Sequence, residues 1–104
     1  MGKKRNNGPP FVRIEKSVLK GSAWRELTHS EMLVYLHLKA NYNGSNNGEI
    51  PFKYTEMKGI MAPPTISKAL KGLIRKDWIE KDPVGGLFRY YCKYKLTFKH
   101  DHLR

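Results

Sequence analysis

The chain has a single cysteine, Cys92, in 104 residues. No internal disulfide can form, and a structural zinc site built from several thiolates is excluded. Such cysteine usage suits a reducing cytoplasm. Long apolar runs are also missing: nothing approaches the ~20 residues that span a bilayer, and the basic opening MGKKRNNGPP is not followed by the apolar stretch of a secretory signal. A soluble, cytoplasmic protein is the expectation. Acidic residues are scarce, nine Asp and Glu against twenty Lys and Arg, for a formal net charge of +11. A field of that sign favours an anionic partner, nucleic acid first and an acidic membrane surface second. The parts of an active site are lacking as well. No Gly-rich phosphate loop, no paired buried carboxylates and no Ser-His or Cys-His arrangement can be assembled, so neither an enzyme nor a cofactor is expected.

What is there fits one compact domain with a single core. Residues 1–10 carry Lys3, Lys4 and Arg5 among Asn, Gly and Pro, and read as a mobile basic arm. A short extended piece, FVRI, leads into EKSVLKGSAWREL, where Val18, Leu19, Ala23, Trp24 and Leu27 are anchors and Gly21 limits the stretch to one or two short helices. THSEMLVYLHLKANY then opens with a capping box, Thr28 facing Glu31 three residues on, and presents Met32, Tyr35, Leu36, Leu38 and Tyr42 as an apolar face. NGSNNGE stops that helix with two Asn-Gly turns, and Ile50 to Phe52 reads as a very short strand.

Two helices are expected next. YTEMKGIM predicts a short one with Tyr54, Met57 and Ile60 or Met61 inward. The run from Pro64 to Lys76 predicts a longer one with Ile66, Ala69, Leu70, Leu73 and Ile74 as its buried stripe. Pro64 suits a first helical position, and Pro63 biases Ala62 away from helical geometry. Thr65, Ser67, Lys68, Lys71 and Arg75 fall on the exposed side. After Asp77 the period changes to two. WIEKD and LFRYYCKYKLT predict a two-stranded hairpin, with Phe88, Tyr90, Cys92, Tyr94 and Leu96 inward, Arg89, Tyr91, Lys93 and Lys95 outward, and Lys81 nearby on the partner strand. Residues 98–104 read as a tail.

This order, with TISKALKGLIRKDWIE as its centre, resembles a winged helix-turn-helix domain over about residues 28–97. The leading FVRIEKSVLKGSAWREL and the YNGSNNGEIPF segment are further similar to small phage or prophage-type winged-helix proteins, some linked to replication initiation or transcriptional control. The resemblance implies an α+β fold: a three-helix core with a C-terminal two-stranded β-hairpin wing and short N-terminal elements, occupying residues 11–97. It implies double-stranded DNA as the partner and a nucleoid-associated protein. Thr65 and Ser67 would then bond bases or phosphates, Lys68 would reach guanine or the backbone, Lys71 and Arg75 would meet phosphates, and the wing would lie over the backbone or minor groove. Since neither Pro63 nor Pro64 has an amide hydrogen, phosphate binding at that helix start falls to the amides and hydroxyls of Thr65, Ile66 and Ser67. Domains of this kind often read palindromes as homodimers, although no zipper or long dimerisation helix is visible. Two positions depart from the family pattern. The turn glycine sits one place early, at Gly59 rather than residue 60, and Asp77 holds the helix stop where glycine is usual.

Other readings compete. Winged helices also serve as protein-interaction or dimerisation modules, and a single-strand or RNA binder would use Tyr91, the one aromatic on the basic strand face, as a stacking platform. His29 and His37 stand too far apart for shared ligation. The terminal His100-Asp101-His102 lacks the oriented surroundings of a metal site.

Overall fold

The computed structural model describes residues 11–81 and 91–100. Four helices and a three-stranded antiparallel sheet make up an α+β fold. In chain order these are α1 (Lys16–Leu19), α2 (Ser22–Arg25), α3 (His29–Ala40), β1 (Ile50–Lys53), a 3₁₀ turn (Tyr54–Met57), α4 (Pro63–Arg75), β2 (Ile79–Lys81) and β3 (Tyr91–Leu96). No helix among the described residues is long and apolar enough to cross a membrane.

α3 begins as its sequence requires. The Glu31 amide donates to Thr28 Oγ1 at 3.1 Å, and the Thr28 amide donates to Glu31 Oε1 at 2.9 Å. Its buried positions are Glu31, Val34, Tyr35 and Leu38, whereas Met32 and Leu36 reach only the core's margin. The α3 face therefore centres on Val34, a residue the expected stripe omitted. Trp24, Tyr35 and Trp78 meet edge to face with centroids 5.1–6.0 Å apart, which locks α2, α3 and the end of α4 around one aromatic node. Val18, Leu27, Phe52, Met57, Ile66, Leu73 and Leu96 fill the rest of the core.

Three features differ from expectation. Within residues 54–61 only Tyr54–Met57 is helical, as a single 3₁₀ turn. Met57 is buried and Met61 packs at the core's margin, but Tyr54 and Ile60 are exposed, because Gly59 takes φ +85° and turns the chain away after one turn. The hairpin is part of a larger sheet, since β3 pairs with both neighbours in the order β1-β3-β2. Its register sets Ile50 opposite Tyr94 on one side and Ile79 opposite Leu96 on the other. Lastly, residues 98–100, the described part of the expected tail, pack on the domain. Phe98 packs on Tyr42 at 5.8 Å, His100 stacks on Trp78 at 4.4 Å, and His100 Nε2 lies 3.0 Å from the Lys76 carbonyl oxygen.

The Asn-rich loop does more than turn. Gly44 and Gly48 both adopt positive φ, as Asn-Gly pairs favour, but Asn47 also pairs its side-chain amide with the Leu96 backbone in both directions, at 2.8 and 3.1 Å. Asn47 thereby stands in for a strand partner where β1 has not yet begun. Asn41, at the end of α3, donates to the Pro51 carbonyl at 2.8 Å and to Glu56 at 2.9 Å. The helix, the strand and the 3₁₀ turn are joined by that one amide.

α4 ends in a motif that satisfies its last carbonyls. The Trp78 amide donates to Leu73 and the Asp77 amide to Ile74, at 2.9 and 3.1 Å, with Asp77 at φ +68°. Asp77→Gly removes both the left-handed strain and a carboxylate opposed to the helix dipole. Its ion pair to Lys99, at 3.7 Å, is exposed and contributes little. Asp77→Gly is expected to stabilise the protein by about 0.5–1 kcal/mol, read as a higher urea midpoint at unchanged slope.

Candidate functional site

α4 begins at Pro63, one residue earlier than expected. Ala62 is extended at φ −79°, ψ 155°, and its carbonyl accepts from the Thr65 and Ile66 amides at 3.0 and 3.1 Å. These contacts take the Thr65 and Ile66 amides out of the expected phosphate cradle and leave it the hydroxyls of Thr65 and Ser67. Pro63 and Pro64 have no amide hydrogens, and the next two amides are already used, so the helix start offers no free backbone donor in its first turn. What it exposes instead is apolar: Ala62, Pro63 and Pro64 are all open to solvent.

Further along α4 the two faces separate. Ile66, Ala69, Leu70 and Leu73 are buried, while Ile74, expected in that stripe, lies at its exposed edge. Lys68, Lys71 and Arg75 are exposed, and their i, i+3, i+7 spacing puts them on one side. α4 contains no acidic residue, and none of these three cations is ion-paired among the described residues. Thr65 and Ser67 flank the basic strip and are half-buried. Thr65 borders a cleft of about 430 Å³ between the starts of α3 and α4, which Thr28, Ser30 and Lys68 also line.

The basic strip is held rigidly by an ion pair behind it. Lys76 Nζ lies 2.7 Å from Glu31 Oε1 and 3.0 Å from the Glu26 carbonyl oxygen, which ties the end of α4 to the start of α3. Glu31 is only 4% exposed. Burial pushes its carboxyl upward, but the Lys76 hydrogen bond, the Thr28 amide and the charges of Lys76 and Arg75 together hold it below its ordinary value. Gly72 makes this possible, because a β-carbon there would overlap the Glu31 carboxylate. Lys76 is thus committed to the fold and does not join Lys68, Lys71 and Arg75.

The sheet contributes a second basic surface. β3 places Lys93 opposite Pro51 and Lys95 opposite Glu80, on the side away from Tyr94 and Leu96. Lys95 is exposed and Lys93 half-buried. Lys81 pairs with Tyr94 and belongs to the other face, at the end of β2. The neighbour of Lys95 is therefore Glu80, whose charge offsets part of its own. Lys53, an exposed cation outside the expected basic set, stands opposite Tyr91. Alternation along Ile50–Lys53, inward at Ile50 and Phe52, is the signal that would have found it. Arg89 and the arm residues Lys3, Lys4 and Arg5 lie outside the described residues.

Among the described residues no three His, Cys, Asp or Glu side chains come together as a metal site, and His100 is engaged with Trp78 and the Lys76 carbonyl. Compared with family models, with curated proteins and with solved structures, the chain matches none.

Proposed function

We propose that this protein binds double-stranded DNA as a winged helix-turn-helix domain, with α4 in the major groove and the β2–β3 wing along the backbone. One observation carries the reading: α4 presents Lys68, Lys71 and Arg75 on a solvent face free of acidic residues, on a helix fixed at its far end by the Glu31–Lys76 pair. A helix of this kind fits the major groove, with cations on its flanks meeting phosphates. The succession α3, β1, 3₁₀ turn, α4, β2, β3 supports the reading, as does the Lys93 and Lys95 surface. Regulation of transcription or initiation of replication, of phage or bacterial type, is the role it suits.

Salt tests it. From Pro64 to Lys99 nine Lys and Arg face three acidic residues, Asp77, Glu80 and Asp82. If five or six of these cations meet phosphates, the logarithm of affinity for a duplex falls with the logarithm of salt at a slope of roughly −5. Competition among duplex DNA, single strands and duplex RNA is measured in the same titration. A flat response, or a preference for single strands or RNA, would refute duplex reading, and the flat response would favour a protein-docking module.

A further inference from the structure

The apolar surface around the start of α4 has no role in a purely electrostatic interface. Ile60 is 47% exposed and Tyr54 38%; Phe11, Val12, Leu19, Leu33 and Ile74 are exposed as well, but Ile60 and Tyr54 are the two that stand next to the start of α4. Beside them a largely apolar groove of about 330 Å³ is lined by Tyr54, Gly59, Met61, Pro63 and Ile66, together with Thr55 and Lys58. Ala62, Pro63 and Pro64 continue the surface onto α4. Resting on the duplex-binding reading, we infer that this surface reads the C5-methyl groups of thymine in the major groove.

The inference follows from what the surface can and cannot match. In a helix docked by its first turns, the leading residues face base edges. Those residues here have no side-chain hydrogen-bonding group until Thr65. From Pro63 to Ile66 the backbone offers no free amide either, because two residues are prolines and the next two amides bond to Ala62. Donors and acceptors on the bases would therefore go unmet. The thymine methyl is the apolar group that the major groove displays. Lys58 at the groove and Lys68 and Lys71 one and two turns on give the surrounding field the sign that holds a polyanion against it. Selectivity of this kind comes from burying methyls and owes nothing to the helix dipole.

Two random duplex libraries, identical except that one carries thymine and the other uracil, provide the probe, because uracil keeps the pairing edge and lacks the methyl. The full chain should enrich thymine-containing sites from the first library. Replacing single thymines by uracil in an enriched site should weaken binding about four-fold at one or two positions, the equivalent of ~0.8 kcal/mol per buried methyl. Ile60→Ser and Pro64→Ser, both at exposed positions, should remove that difference, with folding checked by thermal melting. Enriched sites that bind equally with uracil at every position would overturn the inference, assign the surface to a protein partner and leave duplex binding standing. Failure to enrich any duplex would overturn the function proposed above, and this inference with it.

Discussion

Lys68→Glu with Lys71→Glu should abolish measurable duplex binding, a loss of about 100-fold or more at 0.1 M salt, while the fold stays intact. Both side chains are exposed and unpaired among the described residues, and glutamate is as good a helix former as lysine, so unfolding is not expected. The loss has two parts. Two phosphate contacts disappear, which lowers the salt slope by roughly 2, and two repelling charges take their place. A general fall in net charge must be separated from loss of a site. Lys16→Glu with Lys20→Glu alters net charge equally at exposed positions on and just after α1, and should weaken binding only slightly. Equal losses in the two pairs, measured by fluorescence anisotropy, would remove α4 from the interface.

Gly72→Ala should destabilise the protein by about 2–3 kcal/mol, although the same change in an ordinary helix is worth up to ~1 kcal/mol in the opposite direction. A methyl at residue 72 would lie 2.9 Å from Glu31 Cδ and overlap Oε2, so the carboxylate has to shift, and the expected cost is the weakening or loss of its bonds to Lys76 and the Thr28 amide. Breaking a buried pair costs about 3–5 kcal/mol when one charge is stranded, less here because the Lys76 side chain is 29% exposed and reaches water. A double-mutant cycle isolates the cause. In a Glu31→Ala background, Gly72→Ala has nothing to displace and should become neutral or stabilising. Urea denaturation of the four proteins decides it, since a constant cost in both backgrounds would mean that the clash lies elsewhere. Acid supplies an independent check. Glu31 is held below 4.5, so its contribution is present above that pH and disappears as pH falls through the lower folded value. The wild type should lose this part of its stability in acid, and Glu31→Ala should lack that component.

Local chemistry was readable in the chain, and long-range chemistry was not. Thr28 and Glu31 announce a helix start because their partners are three residues apart, and Asp77 announces a helix stop through its own backbone preference. The second role of Glu31 depends on Lys76 and Gly72, more than forty residues away, and nothing in THSE points to them. Asn47 misled for the same reason. An Asn-Gly pair is sufficient to explain a turn, and its bond to Leu96 appears only once β3 is in place. Tyr54 and Ile60 have helical spacing, yet Gly59 cuts the helix to a single turn. For the site, period alone placed Lys68, Lys71 and Arg75 on one α4 face. Lys81 does lie on the partner strand near Lys93 and Lys95, but alternation within a strand does not state its register against the next one, and the observed register sets Glu80 rather than Lys81 opposite Lys95.

The central position of β3 has a consequence for the chain before it is complete. β1 and β2 do not pair with each other, and among the described residues each finds its strand partner in β3. As the chain is synthesised the helices can pack first, while two strands wait with open edges. A nascent or C-terminally clipped molecule would present both edges together, each a template for another chain. Loss of β1 or β2 would leave a pair of strands; loss of β3 leaves no sheet. Aggregation during expression should therefore track damage to the last strand far more closely than damage to the basic helix.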